Sequence, residues 1–373
     1  MNFTKYYSIL ALVLVTLASS LIFWLAFYYN LPGKIGFPAT TLETIFANYD
    51  GPNYLIISKC GYSSQCIRHR FSLPSPLEYY PAHFPFYPLL IKYYNLFTAG
   101  PKAMLLATLS GSLFLSLSAY AFFSLFLSPP NSFWLSFLLI FFPARLFVLH
   151  QIGAPETWLL AAILSSIYFF KTKKYFLSAL MLALAQAFKS PAILLFIVYL
   201  FFFIKDLFSG KDIKKYFWYL LVPLTIGIIF SVYRVQTGDF WAYFHSGDNF
   251  HLSLPYRVFF SQRSWINTVW LDDVIYLYLL SFGGVYILIK KFRFDPVSLF
   301  SAIFLAAAIL VAHRDLSRYL VPLYPFLLLA YAKYLTTKPA KIIFLFLIPA
   351  IVLFAINFII GNTAPVADWT PYV

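Results

Sequence analysis

The sequence predicts an all-α polytopic membrane protein from its composition, the length of its apolar stretches and the placement of its charges. Of 373 residues, 61% are hydrophobic and 22% aromatic, and only 11% are charged. This composition excludes a soluble globular domain and favours a helical membrane bundle. A spanning helix needs roughly 20 apolar residues, because lipid offers no partner for backbone polar groups. We therefore predict a single integral-membrane domain over 1–373, with about ten to twelve transmembrane helices.

The apolar stretches define the predicted spans in order. The first is too long for the hydrophobic core of a signal peptide and no small-residue cleavage site follows it, so it is predicted to be a retained signal anchor. The region 84–170 holds one apolar stretch more than is compatible with loops that alternate between the two sides of the membrane. The segment 131–152, which contains Pro143, is alternatively a re-entrant hairpin. The stretches are 6–29, 84–99, 103–127, 131–150, 153–170, 175–188, 191–205, 217–235, 270–289, 296–312, 319–335 and 342–360.

The positive charges indicate the orientation of the chain. A net charge of +14 would indicate nucleic-acid binding in a soluble protein, but here the basic residues cluster in short loops between spans, which marks those loops as cytoplasmic. We expect membrane lipids and no nucleic acid as partners. The first loop, about 30–83, and the second, about 237–269, then lie outside the cell membrane. The basic loops are 171–174, 205–215, 290–293 and 338–341.

Polar residues collect on this predicted outer face. Transfer of a group from a lipid phosphate needs a base for the acceptor, and a carboxylate such as Asp50 suits that role. It also needs cations where negative charge grows on the departing phosphate. Lys189, Arg314 and Arg318 stand at predicted outer ends of spans and are candidates, although a lysine at a span end also commonly extends to lipid headgroups.

Glu156 follows Gly153-Ala154-Pro155 and opens an apolar helix. One interpretation is a carboxylate favoured by the helix dipole, and the other is a functional group at the membrane boundary. The two cysteines, Cys60 and Cys66, lie in the first loop. They form either a disulfide, which an oxidising compartment permits, or two unpaired thiols. With the neighbouring His69 they are too few for a zinc site.

The first loop carries the motif that is most specific. Asp50 follows an aromatic residue, Tyr49, and the pair Gly61-Tyr62 stands eleven and twelve residues after Asp50. A glutamate, Glu78, then precedes an aromatic and proline-rich run. That run comprises Pro81, Ala82, His83, Phe84, Pro85, Phe86, Tyr87 and Pro88.

Together with later blocks in the same order, this loop resembles the PIG-V-like mannosyltransferases of the GT-C superfamily of polytopic glycosyltransferases. The chain departs from the family pattern at several positions. Tyr49 stands for a usual Trp, about a dozen residues within 63–77 are inserted, and His83, Lys189 and Phe240 replace Phe, Arg and Pro. The later blocks are Phe142-Pro143-Ala144 with Glu156, Phe188-Lys189-Ser190, Thr237-Gly238-Asp239 with Ala242-Tyr243-Phe244, and Arg318-Tyr319 with Pro322 and Pro325.

The resemblance implies a GT-C-type bundle and inverting transfer of a sugar, mannose in that family, from a polyprenyl-phosphate donor to a lipid, glycan or protein acceptor. It implies Asp50 as general base, with Glu78 as a second catalytic carboxylate. Neither an Asp-x-Asp pair nor a Gly-rich phosphate loop is present, so no nucleotide-sugar site is predicted. The other implied roles are lipid-phosphate binding by Lys189, Arg314, Arg318 and Tyr319, and sugar or acceptor binding by Glu156, Asp239, His83 and His313.

No cofactor is required by the sequence, and a divalent metal is compatible with these carboxylates without being demanded by their spacing. The alternative hypothesis is a transporter or lipid flippase without covalent chemistry, which would place ionisable residues near the bilayer midplane, often in two related halves. A third hypothesis is an inactive scaffold of the same fold.

Overall fold

The computed structural model describes residues 3–72, 75–247, 252–260, 270–313 and 315–373. Within these ranges the regular structure is helical, with two isolated β-bridges and no strand, which confirms the predicted all-α class. The α-helices are α1 (Phe3–Tyr28), α2 (Leu31–Lys34), α3 (Leu42–Phe46), α4 (Gly51–Cys60), α5 (Ser64–Arg70), α6 (Phe86–Tyr94), α7 (Pro101–Phe123), α8 (Pro129–Phe141), α9 (Ala144–Gln151), α10 (Glu156–Lys171), α11 (Tyr175–Phe188), α12 (Ile193–Phe208), α13 (Leu221–Thr237), α14 (Ala242–His245), α15 (Trp270–Phe292), α16 (Pro296–Ile309), α17 (Leu316–Tyr319), α18 (Tyr324–Ala330), α19 (Ala332–Leu335) and α20 (Lys338–Gly361).

Short 3₁₀ helices complete the chain at the ends of several α-helices. They are 77–82, 190–192, 214–220, 257–260, 321–323 and 370–372.

Six helical segments of the described chain are long and apolar enough to cross a membrane, and a seventh results if α8 and α9 form one broken span. The remaining apolar stretches form shorter helices that pack among them. The core lies where α7 and α10 pack together and where α10 packs on α11. Such a set of apolar helices makes the chain an integral, multi-pass membrane protein. The six segments are Tyr6–Tyr28, Pro101–Phe123, Ser190–Phe208, Lys214–Thr237, Asp272–Phe292 and Lys338–Gly361.

Of the four apolar stretches predicted as spans in 84–170, only 103–127 forms a helix that is long and apolar enough to cross a membrane by itself. The prediction of ten to twelve spans therefore exceeds the six or seven found in the described residues. The stretch 84–99 forms only the nine-residue α6, which spans about 14 Å at 1.5 Å per residue and is too short to cross a bilayer. The stretch at 131–152 is broken between α8 and α9, which meet at Pro143 with a bend of 70°. Proline removes a backbone donor and cannot continue the first helix.

Helices α10 and α11 separate two ends of the molecule. At one end, Lys189 follows α11 and its Nζ lies 2.8 Å from the Glu156 carboxylate, which opens α10. At the other end, Lys171 closes α10 and pairs with Asp295 at 2.5 Å. The 16 residues of α10 span about 24 Å. The basic loops and the predicted catalytic residues therefore lie on opposite sides of the helix layer.

The first loop is folded against the bundle. Helix α4 of this loop lies inside the protein, and its residues Gly51 to Ser58 are buried. Helix α4 packs on α6 and α7, so it belongs to the protein core instead of lying on the lipid surface. The segment after α20 covers it further, since Tyr372 is buried and its ring lies 4.9 Å from that of Phe71.

Candidate active site

Arg318 connects two acidic residues that are far apart in the sequence. Its guanidinium lies 3.2 Å from the Oδ2 of Asp50 and 2.7 Å from the Oε1 of Glu156. The short helix α17 carries Arg318, while Asp50 precedes α4 and Glu156 opens α10. The planar guanidinium has five donors in a fixed fork, so one arginine is able to bind two carboxylates at once.

Lys189 brings a second cation to the same carboxylate. Its Nζ donates to the Glu156 Oε1 at 2.8 Å, and its side chain is 30% exposed, whereas Glu156 is 3% exposed. The other oxygen, Glu156 Oε2, is buried and has no hydrogen-bond partner among the residues that the structure describes. We call Asp50, Glu156, Lys189 and Arg318 the cation–carboxylate cluster. It joins two positive and two negative charges in one place.

Asp50 is the more accessible of the two carboxylates, with 23% of its side chain exposed. The Nε2 of His83 lies 3.4 Å from its Oδ1. Burial by itself raises the pKa of Asp50, but the hydrogen bond and electrostatic interaction with His83, together with the charges of Arg318 and Lys189, hold that pKa well below its usual range. Asp50 is therefore ionised in this arrangement.

The Gly61-Tyr62 pair fixes His83 and so explains one motif of the first loop. The Tyr62 hydroxyl donates to the backbone oxygen of His83 at 2.6 Å, and the Tyr62 amide donates to the Gln236 side chain at 2.7 Å. Gly61 has a φ of +57°, and a Cβ there would lie 2.3 Å from the Gln236 Oε1. Glycine is required by both the backbone angle and the space.

A second ion pair, which the sequence analysis did not assign, supports the cluster. The Arg145 Nε lies 3.0 Å from the Asp315 Oδ1, and the Tyr49 hydroxyl donates to the other Asp315 oxygen. The Tyr49 ring in turn lies under the Arg318 guanidinium, 4.1 Å from ring centroid to Cζ. Tyr49 thus joins the two ion pairs through its ring and its hydroxyl.

Two signals for this second pair are visible in the sequence. Arg145 is a lone cation inside the apolar stretch 131–150, and an ionisable residue in such a position is a functional candidate by default. Asp315 directly follows His313 and Arg314, which are two of the predicted site residues. Neither signal indicates that these two side chains meet, because α9 and α17 are distant in the chain.

The other predicted site residues lie outside the cluster. Glu78 is exposed in the 3₁₀ helix 77–82 and makes no ion pair with another described residue. Asp239 pairs with His245 at 2.6 Å on the exposed turn after α13, and this hydrogen bond lowers the pKa of Asp239. The roles proposed for Glu78 and Asp239 remain predictions.

The turn before α17 holds the last predicted residues. The His313 Nδ1 accepts a hydrogen bond from the Asp315 amide at 3.0 Å, and the His313 ring lies 5.1 Å from that of Tyr319. His313 therefore contacts Asp315, and Tyr319 directly follows Arg318 of the cluster in the chain. Arg314 lies outside the described residues.

Two further features of the site concern metals and cysteines. No group of three or more His, Cys, Asp or Glu side chains among the described residues is arranged to hold a metal ion.

Cys60 and Cys66 form a disulfide, with Cα atoms 5.6 Å apart, which decides between the two alternatives left open by the sequence. This bond joins the end of α4 to α5.

The fold is similar to that of a solved membrane protein. A crystal structure of ArnT from Cupriavidus metallidurans, bound to undecaprenyl phosphate, superposes with a TM-score of 0.55 over 95% of this chain and 76% of that chain. This chain therefore shares the overall fold of that protein. At 13% sequence identity the likeness concerns the fold. No protein-family model and no curated protein sequence matches the chain.

Proposed function

We propose that this protein is a membrane glycosyltransferase that moves a sugar from a polyprenyl-phosphate-linked donor to an acceptor hydroxyl on the extracytoplasmic face. The cation–carboxylate cluster carries this proposal, because it places a carboxylate beside two cations at one end of the bundle. The GT-C-type fold, shared with a protein crystallised with undecaprenyl phosphate, supports the choice of donor class.

The proposed reaction assigns one role to each charge. Asp50 accepts the proton of the acceptor hydroxyl while the acceptor oxygen attacks the anomeric carbon of the donor sugar. The bond from that carbon to the phosphate oxygen breaks, and the polyprenyl phosphate leaves with the bonding electrons. Arg318 and Lys189 bind the departing phosphate, where negative charge increases in the transition state. Glu156 holds both cations in place before the donor arrives.

Donor binding would also change the basicity of Asp50. In the arrangement described here Arg318 neutralises Asp50, which makes it a poor proton acceptor. A phosphate that binds Arg318 and Lys189 competes for their charge, so the pKa of Asp50 rises toward its ordinary value. The base therefore becomes effective when the donor is present, which limits unproductive chemistry in its absence.

The finer assignments rest on the motifs. The resemblance to PIG-V-like mannosyltransferases favours mannose as the sugar and an inverting reaction, with a lipid, glycan or protein as acceptor. In this proposal Glu78 is a second catalytic carboxylate and Tyr319 contributes to binding of the lipid phosphate. Asp239, His83 and His313 contribute to binding of the sugar or the acceptor. A transporter would have its charged groups spread along a path through the membrane, whereas Asp50 and Arg318 are 3.2 Å apart.

The direct test is sugar transfer by the purified protein. Polyprenyl-phosphate-mannose is the donor, and a membrane lipid extract supplies acceptors. We expect Asp50→Asn to lower the turnover number about 10²–10⁴-fold, the usual contribution of a general base. The matched control is Glu43→Gln, which removes an exposed carboxylate from the same loop and should leave turnover unchanged.

Two results would contradict the proposal. Near-wild-type turnover in Asp50→Asn would show that Asp50 is not the base. Absence of transfer by the wild-type protein from mannose, glucose and galactose donors on the same lipid phosphate would contradict the assignment as a glycosyltransferase. A cooperative thermal unfolding transition would show that the protein tested is folded.

A further inference from the structure

A large cavity lies at the end of the bundle opposite to the cation–carboxylate cluster. It has a volume of about 1010 Å³ and is lined by the 3₁₀ helix 214–220 and by residues of α11 and α12. Tyr175, which opens α11, lines it, whereas Lys189 follows the other end of that helix. The 14 residues of α11 place the Tyr175 end of the cavity about 20 Å from Lys189.

The walls of this cavity are aromatic and partly open to lipid. Phe217 and Trp218 are 66% and 44% exposed, and the ring of Trp218 packs on that of Phe176 at 4.9 Å. Phe196 and Leu200 of α12 line the wall as well. Exposed aromatic side chains at the end of a spanning helix are typical of the boundary between acyl chains and headgroups.

The mouth of the cavity is positively charged. Lys173 and Lys214 are exposed and make no ion pair with another described residue, and Lys215 pairs with Asp206 at 2.6 Å. Asp212 is the one acidic residue among the lining side chains, and its Oδ1 is occupied by the Lys214 amide at 2.9 Å. Two lysines therefore remain available to an anion at the mouth.

We propose that this cavity binds an anionic phospholipid of the cytoplasmic leaflet. The lipid phosphate contacts Lys173 and Lys214, and the acyl chains lie against the aromatic walls near Trp218. Charge complementarity favours this occupant, because anionic lipids in the cytoplasmic leaflet attract basic residues at the membrane surface. The site is separate from the proposed donor site and does not depend on the proposed reaction.

Native mass spectrometry of the full-length protein, released from detergent micelles, tests the proposal. Dioleoyl phosphatidylglycerol and dioleoyl phosphatidylcholine are added in equal amounts, so that only the headgroup differs. We expect the wild-type protein to retain phosphatidylglycerol preferentially. The double variant Lys173→Gln/Lys214→Gln should lower this preference about tenfold or more, since each basic residue at the surface contributes about 1 kcal/mol.

The matched control is Lys290→Gln/Lys291→Gln, which removes the same charge from the last turn of α15 on the same face. The control should keep the preference, and Trp218→Ser should weaken retention of both lipids. Equal retention of the two lipids by the wild-type protein, or an equal loss in both double variants, would overturn the proposal. Displacement of the lipid by millimolar glycerol 3-phosphate would show a site for soluble phosphates and would also overturn it.

Discussion

Arg318 is the residue on which the organisation of the site depends. It is only 14% exposed and holds Asp50 and Glu156 together, although like-charged carboxylates repel one another. Removing one partner of a buried ion pair leaves an uncompensated charge and typically costs about 3–5 kcal/mol. The same charge that stabilises the two carboxylates here would bind the donor phosphate in the proposed reaction. The guanidinium of Arg318 would therefore serve both the stability of the fold and the proposed reaction.

Tyr49 offers a test of how Arg318 is held. The family that this chain resembles usually has Trp at this position, and Trp is the strongest aromatic partner for a cation. We expect Tyr49→Trp to retain sugar transfer within about threefold, and Tyr49→Ala to lower it about 5- to 30-fold through loss of about 1–2 kcal/mol. The measurement is the rate of transfer at saturating donor. Equal rates in the two variants would show that the ring does not position Arg318.

The pH dependence of stability tests the ion pair of Asp50. Its pKa in the folded protein lies below the unfolded value of about 3.9. Ionised Asp50 therefore stabilises the fold above that unfolded value, and this contribution decreases as pH falls toward the folded pKa. We therefore expect Asp50→Asn to have a lower unfolding free energy than the wild type at pH 5.

Below about pH 4 that difference should shrink by roughly 1.4 kcal/mol per pH unit. Unfolding in detergent between pH 3 and 7 measures it, and the variant Glu43→Gln controls for a general loss of one carboxylate. A difference that stays constant down to pH 3 would mean that Asp50 is not held ionised by its neighbours.

At the scale of elements, the site is built from the ends of helices. Asp50 precedes α4, Glu156 opens α10, Lys189 follows α11 and Arg318 lies in α17. Each polar group therefore stands where a helix begins or ends, so the apolar helix interiors remain free of charge. The first loop is the least regular of these parts, and its position depends on the contacts of Gly61 and Tyr62 with α13.

Gly61→Ala tests this attachment. The substitution meets a strained backbone angle and a close contact with Gln236, and each unfavourable backbone conformation costs about 1–3 kcal/mol. We expect a lower unfolding temperature and slower sugar transfer, since His83 and Asp50 lose their support. Gly36→Ala is the matched control, because Gly36 has a φ of +100° in the same loop with no atom within 4 Å of an added Cβ.

The double variant Gly61→Ala/Gln236→Ala separates the contact from the angle. Removal of the Gln236 side chain should recover part of the lost stability. If Gly61→Ala and Gly36→Ala are destabilised equally, the contact with Gln236 contributes nothing and the backbone angle alone explains the requirement for glycine.

At the scale of the whole molecule, the proposed active site and the basic loops lie at opposite ends of α10 and α11. This arrangement predicts which side of the membrane each end faces. In a Cys60→Ser/Cys66→Ser background, which removes both native cysteines, we expect Glu43→Cys to react with a membrane-impermeant maleimide in intact cells. Lys211→Cys should react only after permeabilisation. The opposite pattern would place the site on the cytoplasmic side.

The sequence by itself determined the all-α membrane class of the protein and the position of its most apolar helices. Apolar length and the position of lysines decide these features locally, because lipid imposes the same requirement on each segment separately. It also indicated Asp50, Glu156, Lys189 and Arg318 individually. The distances between these side chains were not determined, since no local sequence pattern relates residues that lie 33 to 268 positions apart.

Only the tertiary structure decided that these four charges form one cluster and that Arg145 and Asp315 support it through Tyr49. It also showed that α6 is too short to span a membrane and that α4 is buried. These outcomes depend on helix packing, because the packing decides which hydrogen-bond or ion-pair partner lies next to each polar side chain. A buried charge must find a partner, and the identity of that partner is a property of the whole bundle.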